Sequence, residues 1–197
     1  MDTDHRAYAA GCNIVILASS FERVQIIPGA WHNYIRISCV DCSTDTGKIA
    51  AAYENQVCIY EPTPLIHNNS THHLDYRWVQ TGSLQTESHI SSLSWNLEGT
   101  RLLTGGEILQ LWFQHVSNTE DDSETAPGPT VTFEIGEDTQ PQHQEEEDRG
   151  WECVWSCHTA TPVFHMSFSP DGTLFATAGK SDRLVKIWFE NKQFVLV

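Results

Sequence analysis

The sequence predicts an all-β fold, a β-propeller of which about three to four blades are present, interrupted by one long acidic insert. Three observations carry this. Short runs of alternating polarity, each the mark of a half-buried strand, recur along the chain between Gly-, Pro- and Asp-containing turns. Gly47 precedes Tyr60, and Gly99 precedes Trp112, by 13 positions, while Gly172 precedes Trp188 by 16. Leu17, Tyr60, Trp112 and Trp188 are separated by 43, 52 and 76 residues, the period of a four-stranded unit once loop insertions are allowed for.

Residues 7–17 read as two strands meeting at Gly11-Cys12-Asn13, and 22–27 as a third, stopped by Pro28-Gly29. Residues 36–40 open the second unit. Its turn is Asp45-Thr46-Gly47, and its next strands are 48–53 and 56–60, the latter expected to end at Pro62 and Pro64. After a polar loop, 76–80 is the outer strand. Residues 90–95, 101–104 and 108–112 repeat the plan around Leu97-Glu98-Gly99, closing a first region over 1–114.

Residues 115–150 break the pattern. Over 117–149 there are eleven acidic residues and one basic, with the runs APGPT and QPQHQEEEDR. So little apolar surface cannot offset the entropy of folding, so this insert is expected to be disordered. It reads as a solvated linker, with docking of a basic partner the alternative. The third region, 151–197, starts with 151–155 as the outer strand of the blade of Trp112. Strand 163–168 follows, then the turn Ser169-Pro170-Asp171-Gly172, in which proline presets φ, aspartate caps its own backbone and glycine accepts positive φ. Strand 174–178, the turn Gly179-Lys180-Ser181-Asp182 and strand 184–188 complete the run. This unit lacks an outer strand unless the apolar tail 191–197 supplies one. Open sheet edges make the whole an incomplete, truncated propeller fragment.

The stretch VFHMSFSPDGTLFATAGKSDRLVKIW, 163–188, closely resembles a WD40 repeat. That resemblance implies a structural tetrad of His158, Thr177, Asp182 and Trp188. The carboxylate accepts from the imidazole, the hydroxyl bridges, and the indole N–H donates into the chain, as a buried carboxylate requires. His158, Asp182 and Thr177 could also spell an acid–base set, but the surrounding repeat favours a structural role. Tyr60, Trp112 and Trp188 are the blade-closing aromatics.

The formal net charge of −15 argues against nucleic acid or an anionic membrane as partner, and without the insert the balance is an ordinary −5. The first residues form no signal peptide, and no apolar run spans a membrane, so no direct membrane insertion is expected. Six cysteines on or beside strands suit reduced, buried thiols. Cys39-x-x-Cys42 has half the spacing of a zinc site, but it lies within a strand pattern and no second pair follows, so no metal or cofactor is expected. No phosphate loop, nucleophile elbow or spaced carboxylate pair is found, which argues against an enzyme.

Four blocks resemble the N-terminal WD40-repeat region of DmX-like proteins (the alpha subunit of rabconnectin): AYAAGCNIVILASSFERVQIIPGA at 7–30, CVDCSTDTGKIAAAYENQVCIYEP at 39–62, GTRLLTGGEILQLW at 99–112, and 151–188. The first two are more specific than any WD40 consensus. The resemblance implies a non-enzymatic scaffold that promotes vacuolar proton-pump (V-ATPase) assembly, with pump subunits and other assembly-complex subunits as protein partners. It also implies a cytoplasmic location, peripheral to endosomal, lysosomal or synaptic-vesicle membranes. A generic adaptor in a ubiquitin ligase or chromatin complex fits the blade motif equally well. The loops expected to face partners are Trp31-His32-Asn33, Glu54-Asn55 and Lys180-Ser181, where core packing does not demand these side chains.

Overall fold

Hairpin chemistry sets the architecture, as a computed structural model of the chain shows. It describes residues 5–18, 23–29, 35–65, 75–115, 150–181, 183–191 and 193–196. Among these, every regular element is a strand, and the strands form four antiparallel sheets in chain order. The first holds β1 (Arg6–Ala10), β2 (Asn13–Leu17) and β3 (Arg23–Ile27), and the second β4 (Cys39–Cys42), β5 (Ile49–Tyr53), β6 (Gln56–Leu65) and β7 (Asp75–Gln85). The third holds β8 (Ile90–Trp95), β9 (Arg101–Gly106), β10 (Ile108–Gln114) and β11 (Trp151–His158). The fourth holds β12 (Val163–Phe168), β13 (Leu174–Gly179), β14 (Val185–Asn191) and β15 (Gln193–Leu196). Strands sit side by side in sequence order within each sheet, as short turns dictate.

The repeat expected from spacing is a repeat of geometry. Gly47, Gly99 and Gly172 take φ of 68°, 65° and 69° at the same first turn of their sheets, a conformation that costs other residues dearly. A bulge falls at Ile16/Leu17, Ile59/Tyr60 and Leu111/Trp112, always beside the residue that ends the spacing pattern. Across the next pair of strands, Tyr60 faces Ile49, Trp112 faces Leu102, and Trp188 faces Phe175.

The sheets stack face to face. Ile14, Ile16, Ile49, Tyr53 and Tyr60 fill the space between sheets one and two. Ala50, Ala52, Val57, Ile59 and Trp112 fill the next, and Leu103, Leu111, Phe175 and Trp188 the third. Residues alternate across a strand, so a sheet buried on both faces needs apolar side chains at every position. That explains the run Ile49-Ala50-Ala51-Ala52-Tyr53, buried throughout.

Three expectations need correction. The second sheet opens at Cys39, not at residue 36. The third strand of that sheet does not stop at its prolines, because β6 runs on to Leu65 opposite β7. Pro62 lies opposite Trp78, whose own N–H and C=O turn outward to Gln25 at 2.8 and 2.9 Å. The pair exchanges no ladder bonds, so the N–H that proline lacks is not needed, and Pro64 two residues on falls in the same phase. The fourth sheet also has its outer strand, since β15 pairs with β14 from Trp188↔Leu196 to Asn191↔Gln193.

The acidic insert lies outside the described residues from 116 to 149. Its two ends meet, because His115 N–H donates to the Gly150 carbonyl at 3.1 Å and the His115 ring bonds the Glu152 carboxylate at 2.6 Å. A short Gly/Ser bridge spans such a closed neck. Replacing 117–149 with one is expected to shift unfolding free energy by less than about 1 kcal/mol, because closure entropy varies only slowly with loop length. Urea titration of both proteins checks this, and a loss of several kcal/mol would show that the insert packs on the sheets.

Candidate functional site

The turns at one end of the sheets are built alike. Between β5 and β6 the chain reverses through Glu54 and Asn55, with Glu54 held at φ 55°, rare for a residue with a side chain. The segment leading from β7 to β8 clamps this turn. Ile90 N–H donates to the Glu54 carbonyl at 2.6 Å, and Thr86 N–H to that of Asn55 at 2.8 Å. The Thr86 hydroxyl adds a bond to the Asn55 carbonyl at 3.0 Å. In the third sheet the β9–β10 turn at Glu107 is held by Thr159 in the same way, through its N–H and its hydroxyl, both at 3.0 Å. In the fourth, Lys180 N–H reaches the Pro162 carbonyl at 3.3 Å, and its ammonium lies 5.5 Å over the Phe164 ring.

These clamps fix backbone and leave side chains outward. Glu54, Lys180 and Ser181 are exposed and Asn55 is half-buried, all at one end of the stack. Trp31, His32 and Asn33 lie outside the described residues. Sequence reading missed Glu87, His89 and Glu107, which are exposed on the same rim. Glu107 was legible, because it alone separates β9 from β10 and so takes the place of Glu54 and Asn55 in the repeat. Such a rim, rigid beneath and polar above, suits recognition of another protein's surface.

Of the four side chains expected to form a tetrad, two are bonded to each other among the described residues. Trp188 Nε1–H donates to Thr177 Oγ1 at 2.9 Å, and both are buried. His158 does not join them, for it is exposed at the end of β11, opposite Ile108. Asp182 lies outside the described residues. In the link into the fourth sheet, the buried Thr161 hydroxyl has no partner among the described residues and packs against Gly179. The third sheet repeats the bond unannounced, with Trp112 Nε1–H donating to Thr104 Oγ1 at 3.1 Å. Tyr60, the third blade-closing aromatic, is buried with Tyr53 and Cys58, and burial raises its phenol well above the usual range.

The thiols of Cys39 and Cys42 face different cores, Cys39 toward the third sheet and Cys42 toward the first. Burial pushes both up to about 12. Three residues apart on one strand, they point to opposite faces and cannot grip one ion together. Among the described residues no three His, Cys, Asp or Glu side chains gather as for a metal. A cleft of about 330 Å³ opens at the opposite end, lined by Asn96, Glu98, Arg101, Phe113, Asp171 and Thr173. Turn bonds already engage its Asn96 and Asp171 side chains. Asn96 accepts from the N–H groups of Thr100 and Arg101, and Asp171 accepts from Ser169 and Thr173, which holds its carboxyl below the usual range.

Asp41 on β4 ties one sheet to the next, its Oδ2 accepting the Trp95 N–H at 2.7 Å. Burial raises its pKa, with the Trp95 and Cys42 amides opposing. The folded value therefore exceeds the unfolded one, near 4. The stabilising share of this group is complete below that unfolded value and is lost as pH rises through the folded one. Asp41→Asn keeps an acceptor for Trp95 and removes the charge. The stability difference between variant and parent, measured in urea from pH 4 to 7, is expected to move in favour of the variant as pH rises. A difference flat with pH would show that Asp41 titrates as it does in the unfolded chain.

Comparison with known proteins follows the same lines. The family described as WD domain, G-beta repeat matches residues 151–188. The chain is 44% identical to DmX-like protein 1 of Homo sapiens over 95% of its length, and 42% identical to DmX-like protein 1 of Mus musculus over 93%. It spans only 6% of either relative. It is 26% identical, over 92% of its length, to the Regulator of V-ATPase in vacuolar membrane protein 1 of Saccharomyces cerevisiae, and spans 11% of that protein. Among solved structures, a protein from Lactobacillus plantarum superposes with a TM-score of 0.62 over 98% of this chain and 52% of its own, at 8% identity, a likeness of fold alone.

Proposed function

We propose, from the premise that this chain belongs to the DmX-like family of WD-repeat proteins, that it is the part of a scaffold through which the vacuolar proton pump is assembled. The observation that carries the pump is the yeast relative, whose name makes it a regulator of V-ATPase in the vacuolar membrane and which aligns over 92% of this chain. The physical support is the rim of clamped turns. It offers exposed carboxylates at Glu54, Glu87 and Glu107 on backbone that does not have to be ordered on binding, which lowers the entropic cost of recognition. Partners in this reading are pump subunits and the other subunits of an assembly complex. No helix among the described residues is long and apolar enough to cross a membrane, and in this proposal the scaffold sits on the cytoplasmic face of acidifying organelles as part of that complex.

Depletion of the full-length protein is expected to raise lumenal pH and to leave the ATPase sector in the cytosol with pump subunit levels unchanged. The double variant Glu54→Lys/Glu107→Lys, introduced into the full-length protein, is expected to weaken capture of pump subunits about fivefold or more, since reversing rim charges opposes a complementary surface. Normal acidification after complete depletion, or capture of ubiquitin-ligase or chromatin subunits in place of pump subunits, would refute the assignment and leave the fold untouched.

A further inference from the structure

At the end of the stack opposite the rim, one junction departs from the repeat. The second sheet turns from β4 to β5 through Ser43–Gly47, with Gly47 N–H donating to the Ser43 carbonyl at 3.0 Å. The corresponding turns of the third and fourth sheets are one residue shorter. Gly99 N–H donates to the Asn96 carbonyl at 3.2 Å, and Gly172 N–H to that of Ser169 at 2.9 Å. The longer turn reaches its neighbour. A methyl group on Gly99 would overlap the hydroxyls of Thr46 and Ser43, and the Ser43 hydroxyl donates to the Leu97 carbonyl at 3.1 Å. The shorter turn of the third sheet falls short of the fourth. Apart from its chain neighbours, no described residue has an atom within 4 Å of where a methyl group on Gly172 would sit. The cleft of about 330 Å³ opens in this gap.

The lining changes with the shape. Between the second and third sheets, Lys48 donates to Gln114 at 2.6 Å and meets Glu61 at 3.4 Å, so paired charge fills the space. By register, Arg101 and Phe113 stand in the third sheet where Lys48 and Glu61 stand in the second. With Phe113 in place of a glutamate, a half-buried ring forms part of the cleft wall. The lining carries two carboxylates, Glu98 and Asp171, against the one guanidinium of Arg101. Each carboxylate is steadied through a single oxygen. Glu98 Oε2 accepts from Asn96 at 2.6 Å, and Asp171 Oδ1 accepts from Ser169 and Thr173 at 2.5 and 2.9 Å. The other oxygen of each has no hydrogen-bond partner among the described residues. Leu97 and Pro170, the residues just before them in the two turns, are exposed, Leu97 at 40%.

We propose that this cleft docks an arginine side chain from the surface of a partner protein, with Phe113 as the face on which the guanidinium stacks and Glu98 and Asp171 as its acceptors. An aromatic ring attracts a cation, and the planar guanidinium has donors enough for more than one carboxylate. The balance of charge in the lining favours a base. The turn bonds that hold the Asp171 carboxyl below the usual range keep it ionised for that role. Ligand pockets run from about 300 to 1,000 Å³, so this cleft, at the small end, suits one side chain. The exposed Leu97 and Pro170 offer apolar contact to the surface that carries the arginine, contact that a small free base would leave unused. The site lies at the other end of the stack from Glu54 and Glu107, and it does not rest on the pump assignment.

NMR titration of the 197-residue chain with the peptide acetyl-Gly-Arg-Gly-amide tests this. The same peptide with citrulline for arginine, which keeps the shape and lacks the charge, is the control. The arginine peptide is expected to shift the Gly172 amide and the Phe113 ring with millimolar affinity, and the citrulline peptide to bind at least about tenfold more weakly. Glu98→Gln and Asp171→Asn keep the shape of each side chain and are each expected to weaken the arginine peptide about threefold. Glu98 is exposed, so Glu98→Gln leaves the fold intact, and unchanged amide positions away from the cleft verify this for both variants. Equal binding of the two peptides would overturn the proposal, as would binding unchanged in Glu98→Gln. So would a Gly172 amide that does not move, including the case in which the shifts gather at Glu54 and Glu107 instead.

Discussion

Trp188→Ala is expected to lower the unfolding free energy by about 3–5 kcal/mol, the range for emptying a buried aromatic site. The indole is 7% exposed, stacks on Phe175 with ring centres 5.8 Å apart, and meets Trp155 edge-on at 5.6 Å. It closes the core between the third and fourth sheets, so its loss opens a cavity among side chains anchored on two sheets that cannot collapse inward. The hydrogen bond separates from the packing in a second series. Trp188→Phe keeps a ring but strands the Thr177 hydroxyl, and Thr177→Val strands the indole N–H, each costing about 1–3 kcal/mol. The double variant should lose less than the sum, by about 0.5 kcal/mol or more, because the two groups serve one bond. Additive losses in urea denaturation would mean that the bond contributes nothing beyond packing.

Gly106→Ala is expected to cost about 3 kcal/mol, at the upper end of overpacking effects. A methyl group there would overlap the carbonyl oxygen of His89, a backbone atom. That backbone cannot yield cheaply, since the next residue, Ile90, donates to Glu54 in the clamp of the second sheet. Gly105→Ala is the control. Its methyl would meet the Met166 sulfur at 3.1 Å and Val163 at 3.2 Å, and a methionine side chain can move aside. The loss there is expected to be about 1 kcal/mol. Equal losses at the two positions would show that the link between sheets is soft, and a soft link would undercut the rigid rim on which partner recognition rests.

Much of the fold was legible because the signals that set it are local. The glycines at 47, 99 and 172 mark turns that need positive φ, and each turn fixes the pairing of the strands beside it. The aromatic ends at Tyr60, Trp112 and Trp188 mark equivalent strands, and with them the order of every sheet follows. The candidate surface was legible only in part. Glu54, Asn55, Lys180 and Ser181 stand at turns that the pattern announces, whereas Glu87 and His89 belong to a link with no pattern of its own.

Taken alone, the sequence determined the class of fold, a count of about three to four blades and the strand order, since these follow from periodicity and turn chemistry over a few tens of residues. The stacking of sheets decided the rest. Pro62 stays inside a strand because its partner, Trp78, turns its polar groups toward Gln25, 53 residues earlier in the chain. Cys39 and Cys42, adjacent in a motif, part company because each face of their strand belongs to a different core. Asp41 becomes a half-buried acceptor only because Trp95, 54 residues on, arrives above it. His158, one residue type in a familiar place, stays in water because β11 runs through it to the exposed end of its sheet. Spacing along a chain fixes which face of a strand a side chain takes, but what lies across that face is set by whichever sheet packs there.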